Sequence, residues 1–168
     1  MSTPNPTASH TISVLVSNKP GVLVRVALVF ARRGYNIDSL VVSPQQDSDF
    51  SRMTITCSGD PGTLDQIIKQ LFKLVDVVRA IDHTGDQVIE KELALVKVKC
   101  PPENRTQVLQ IVEHFKGVTV DFGSESLILQ MAGGSDKIDH VLGLLAPYGV
   151  VEMVRSGKIL MARGASAT

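Results

Sequence analysis

The sequence has 168 residues, 43% of them hydrophobic and 20% charged, with 13 Gly and 8 Pro. That supplies one ordinary core or two small ones and excludes a disordered or low-complexity chain. Seventeen Lys and Arg balance seventeen Asp and Glu, and aromatic residues make up only 4%, so the charge and the stacking rings of a nucleic-acid module are both missing.

Residues 10–17 alternate and are rich in β-branched side chains, which predicts a strand that stops at the turn Asn18-Lys19-Pro20-Gly21. Val22, Leu23, Val26, Ala27, Val29 and Phe30 then mark one face of a helix, with Pro20 suited to its start and Gly34 to its end. Strands over 37–43 and 52–58 follow as a hairpin around the polar loop 44–49. Leu64, Ile67, Ile68, Leu71, Phe72 and Val75 set a second amphipathic helix, and 77–83 reads as a fourth strand.

The same β-α-β-β-α-β order returns after Thr84-Gly85-Asp86-Gln87. A strand over 93–100 leads to a helix marked by Val108, Ile111, Val112 and Phe115 and ended by Gly117. Strands over 118–122 and 127–131 come next, then a helix through Ile138, Val141, Leu142 and Leu145, then strand segments 150–155 and 158–163. Gly34 and Gly117 place the repeat at about 83 residues. The predicted class is α+β, with two ferredoxin-like βαββαβ domains. The expected limits are a disordered tail over 1–9, a first domain over 10–84, a linker over 85–90, a second domain over 91–164 and a short tail over 165–168. One larger α+β sheet spanning both halves is the alternative.

No catalytic constellation is evident. His10, His83, His114 and His140 are scattered, and none is expected to pair with a neighbouring carboxylate or thiol, so no general base and no catalytic residue is predicted. Cys57 and Cys100 sit in apolar segments without a CxxC pair, which predicts reduced, packed thiols. No phosphate-binding glycine motif and no acidic metal-ligand spacing occurs, so neither a metal nor a cofactor is expected in this chain. The N-terminus lacks a leader pattern and no apolar run nears the ~18 to 20 residues of a membrane span, which points to a cytoplasmic protein with no membrane partner.

What remains is the loop Ser17 to Leu23, which runs from a strand directly into a helix. A helix start offers unpaired amides and partial positive charge to a carboxylate, Gly21 lets a ligand approach the backbone, and the Asn18 amide suits a zwitterion. Asn36 could add a second amide, from the same chain or across a dimer interface. An ordinary turn and an ordinary helix stop fit the same residues.

The blocks VSNKPGVLVRVALVFARRGYNIDSLVVS, SRMTITCSGD, IIKQLFKLVDVVRAID, EKELALVKVK and VVEMVRSGKILMARG, in that order, resemble the small regulatory subunit of acetohydroxyacid synthase, also called acetolactate synthase. The resemblance runs from about His10 to Gly164 and implies an N-terminal ACT domain, an amino-acid sensor of ferredoxin-like fold, followed by a domain of related topology. It implies a chain without an active site that binds a catalytic large subunit. That subunit uses thiamine diphosphate, Mg and FAD to convert two pyruvates to 2-acetolactate and carbon dioxide in valine, leucine and isoleucine biosynthesis. Activation of that partner, valine feedback inhibition and a homodimer through the ACT domains are implied with it. Asn18, Gly21, Val22 and Leu23 match the family's effector loop, and Asn36 with Ile37 the segment that completes the valine site between two ACT domains. Lys19 and Pro20 stand where many members have an acid and a small residue. The partner-facing candidates are Arg32 and Arg33 with the loop Pro44 to Phe50, Gln45 and Gln46 in particular, although a solvated helix end explains the arginines equally well. The alternative reading is a free-standing ACT-domain sensor that regulates another enzyme or a transcription system.

Overall fold

The computed structural model describes residues 8–46, 48–165 and 168, Ala8 in its backbone alone. Most of the tail expected over 1–9, Asp47 of the loop 44–49 and residues 166–167 of the C-terminal tail lie outside the described residues. The chain forms two compact units: the described residues up to Ile89 together with Lys158–Thr168, and Glu90–Gly157.

In the first unit β1 (Ala8–Ser17), α1 (Val22–Ala31), β2 (Asn36–Pro44), β3 (Phe50–Gly59), α2 (Pro61–Leu71) and β4 (Val77–Asp82) build an antiparallel sheet of order β2-β3-β1-β4. Alternation decides which side chains meet. Ile12, Val14 and Val16 of β1 and Met53, Ile55 and Cys57 of β3 share one face, and they are buried with Val22, Val26 and Phe30 of α1 and Leu64, Ile67 and Leu71 of α2. The other face of the same two strands carries the hydroxyls of Thr11, Ser13, Thr54 and Thr56, also buried.

The second unit repeats the plan with β5 (Val88–Lys99), α3 (Arg105–His114), β6 (Val118–Phe122), β7 (Ser126–Gly133), α4 (Ser135–Leu145) and β8 (Val150–Arg155), in the order β6-β7-β5-β8. Its core gathers Ala94, Val96 and Val98 of β5, Leu127, Leu129 and Met131 of β7, and the inward faces of α3 and α4. Each unit is thus a ferredoxin-like layer pair, and the two sheets are separate rather than one larger sheet. A last strand, β9 (Ile159–Ala162), pairs with β5 off that path, and its segment clusters with the first unit. β5 itself starts at Val88, within the stretch read as a linker.

Three local expectations change. The apolar periodicity that carried the second helix through Phe72 and Val75 outlasts the helix, which ends at Leu71 and leaves Val75 fully exposed. Gly117 does not supply a left-handed stop to α3; Lys116 takes φ +54° instead. Gly117 is small for another reason, since a Cβ there would lie 2.3 Å from the Met131 sulfur. Thr168, read as part of a tail, is buried, with its carbonyl accepting from Arg52 at 2.9 Å and its hydroxyl oxygen from the Ala162 amide at 2.7 Å.

Candidate functional site

Strand β1 delivers the chain to a loop tied down on two sides. The Ser17 amide donates to the Asp76 carbonyl at 2.8 Å and the Asn18 amide to the Asp49 carbonyl at 2.7 Å, while Arg25 of α1 reaches the Asp76 carboxylate at 2.6 Å. Gly21 then turns into α1 with φ +81°, a conformation an L-residue rarely adopts. No side chain caps α1 and its first turn carries no acid, so the positive end of the helix is left without an anion from the described residues. A Cβ on Gly21 would meet nothing within 4 Å, so the space above the loop is open. The Asn18 side chain is exposed and makes no hydrogen bond among the described residues. The arrangement suits a carboxylate on the helix amides and an ammonium or amide group beside Asn18.

The predicted lining residues divide. Leu23 is 43% exposed, but Val22 is 2% exposed and belongs to the core, so only its backbone faces the loop. Asn36 lies far away. Ser17 pairs with Phe50 and Asn36 with Ser58, which puts Asn18 and Asn36 at opposite ends of β3, roughly 25 Å apart by strand rise. One copy cannot bring both amides to one small ligand. Asn36 donates to Asp38 Oδ1 at 2.9 Å and stays exposed, and Ile37 is half-buried against the first core.

The partner-facing candidates also separate. Arg32 and Arg33 follow the C-terminal end of α1, where Arg33 donates to Gln66 of α2, whereas Gln45 and Gln46 follow β2 at the Asn18 end, with the Gln45 amide bound to the Phe50 carbonyl at 2.9 Å.

One constellation escaped the sequence. His83 is buried and contacts Ser13 Oγ through Nε2 at 2.8 Å and Asp86 Oδ2 through Nδ1 at 3.3 Å, so the expectation that no histidine pairs with a nearby carboxylate fails for it. Asp86 stands only three residues on, yet Ser13 is 70 residues distant and reaches His83 only through the β1–β4 pairing. Ser13 is 4% exposed in mid-strand, where its backbone is committed to the sheet, so the trio lacks the open nucleophile that acyl transfer requires. His10, likewise buried, has Nδ1 3.2 Å from the Thr84 hydroxyl and Nε2 3.3 Å from the Gly59 carbonyl oxygen.

Both cysteines are free and buried. Burial, with Asp38 and Asp82 adding to it, pushes the Cys57 thiol up to about 11, and burial raises Cys100 against a lowering pull from Arg105. Neither is a ready nucleophile. Among the described residues no group of three or more His, Cys, Asp and Glu could hold a metal, and no helix is long and apolar enough to cross a membrane.

Residues 12–79 match the model of the AHAS small subunit-like ACT domain, and residues 91–164 that of the small subunit of acetolactate synthase. A probable acetolactate synthase small subunit of Archaeoglobus fulgidus is 44% identical over 155 residues, covering 92% of this chain and 97% of that one. The acetolactate synthase small subunit of Mycolicibacterium smegmatis is 42% identical over 160 residues, covering 95% and 94%. The crystal structure of the acetolactate synthase small subunit from Thermotoga maritima superposes with a TM-score of 0.84 at 37% identity, covering 95% of this chain and 99% of that one.

Proposed function

The chain belongs to the family of acetolactate synthase small subunits, and from that premise we propose that it activates a catalytic subunit and makes it sensitive to valine. In this reading the chain is not itself an enzyme. Thiamine diphosphate, Mg and FAD, and the condensation of pyruvate to 2-acetolactate, belong to the cytoplasmic partner.

The observation that carries the valine site is the uncapped start of α1. Valine's carboxylate sits on the first-turn amides of Leu23 and Val24, the Val22 amide being taken by the Lys19 carbonyl at 3.4 Å, while Gly21 keeps the approach clear and Asn18 receives the ammonium group. Leu23 offers an apolar wall, and no acid in this loop selects for a basic side chain. Asn36 and Ile37 then come from a second copy, because within one copy they stand at the far end of β3. Leu23, Val24 and Leu28 are exposed on α1, which supports a second copy packing along this helix.

Valine bound between two copies favours one arrangement of the dimer, and the catalytic subunit prefers the other. The effector can shift activity only by its differential affinity for the two, typically ~1 to 3 kcal/mol of coupling. Reconstitution tests this directly. Adding the chain to a purified catalytic subunit is expected to raise acetolactate formation, and valine to reverse part of that rise; an unchanged rate with a chain that binds no partner would refute the regulatory role.

A further inference from the structure

Away from the α1 loop, unpaired positive charge and a concave volume coincide at a second place in the first unit. An open cavity of about 370 Å³ is bordered by Arg79 of β4, by His83, Asp86 and Gln87, and by Arg163 just after β9. Arg79 pairs across the sheet with Leu15, and Ala80 with core-facing Val14, so Arg79 projects from the face turned away from the two helices. Among the described residues neither the Arg79 nor the Arg163 side chain has a hydrogen bond or ion pair. The one carboxylate in the wall, Asp86, is engaged by His83, whose other ring nitrogen is held by Ser13. The imidazole is therefore fixed from both sides, and the cavity keeps an excess of positive charge.

We infer that this cavity binds a small metabolite through an oxyanion, a carboxylate or a phosphate group, at a site separate from the α1 loop. Guanidinium groups present paired N–H donors that match either oxyanion, and two of them without protein acids leave that valence open to a ligand. The Gln87 amide, on the same rim, can donate to the anion or accept from a neighbouring hydroxyl. His83, locked by Ser13 and Asp86, serves as a positioned wall.

The test titrates the full chain with inorganic phosphate and, separately, with acetate at constant ionic strength, read by calorimetry and by the side-chain NMR signals of Arg79 and Arg163. Saturable binding of one probe is expected, and which probe binds distinguishes phosphate from carboxylate recognition. Arg79→Ala and Arg163→Ala are each expected to weaken it at least tenfold. Both arginines are exposed, so these variants should keep the native circular dichroism, and Asn18→Ala should bind the anion as the native chain does. Linear, non-saturating shifts with both probes, or affinity unchanged in both arginine variants, would overturn the inference. So would a result in which neither anion binds but Arg79→Ala weakens association with the catalytic subunit, since the arginines would then serve a protein acid.

Discussion

At Val22 and Leu23 two adjacent apolar residues have opposite fates, because on a helix one step of the chain turns the side chain by about 100°. Val22 joins Val26 and Phe30 in the core and Leu23 stands out to solvent, so of a loop motif that lists both as lining only Leu23 contributes a side chain. Cys57 shows burial acting on chemistry rather than on position. Its thiol is raised from the usual 9.0 to about 11, first by burial and then by Asp38 and Asp82. The folded state holds the proton more tightly than the unfolded one, so the stabilisation is complete below pH 9 and fades as pH rises toward about 11. Denaturant titrations of the native chain and of Cys57→Ala should accordingly show a stability difference that shrinks across that window; a constant difference would mean that the thiol titrates normally. The loop residues and the packed thiols were legible in the sequence because turn chemistry and apolar flanks are local signals. The Ser13–His83 contact was not, because it joins residues 70 apart that meet only once β1 and β4 pair.

Helix ends carry the clearest differences between elements. Asp60 caps α2, accepting from the Thr63 amide at 3.0 Å with Pro61 at the first helical position, so Asp60→Ala should cost about 1 kcal/mol in thermal or denaturant unfolding. The chain leaves α3 through Lys116 in the left-handed region, and Lys116→Gly should stabilise the protein by roughly 0.5 to 1 kcal/mol by relieving that strain. A melting temperature lowered by Lys116→Gly would contradict this. Spacing alone placed the stop at Gly117, since glycine after a periodic segment suggests a left-handed cap; the residue is small because Met131 packs where its Cβ would be. The inner strands were legible from alternation. β5 was legible only from Leu93, because Glu90, Lys91 and Glu92 dilute the apolar alternation at its start. Glu92 is nevertheless buried there, in an ion pair with Arg155 of β8, and Arg155 also reaches Asp139 of α4 at 2.5 Å. Those carboxylates raise the Arg155 pKa, the hydrogen bonds that Arg155 donates to Glu92 most of all.

For the whole molecule, the repeat of about 83 residues was enough to foresee two ferredoxin-like units, since the same order of strand and helix patterns occurs twice. It did not foretell that the segment after Gly157 would cluster with the first unit, because the pairing of a short terminal strand depends on tertiary geometry and not on its own pattern. Nor did it separate Asn18 from Asn36, which depends on strand register. That separation requires a shared site, in which one valine takes Asn18 from one copy and Asn36 from another. Mixing Asn18→Ala with Asn36→Ala, after exchange of subunits, tests it by calorimetric titration with valine. Neither variant alone should bind, and the mixture should recover about a quarter of the native stoichiometry, because half of the dimers are hybrids and each hybrid keeps one intact site. A mixture that binds no valine, although mass spectrometry shows that hybrids have formed, would contradict a site shared between two copies.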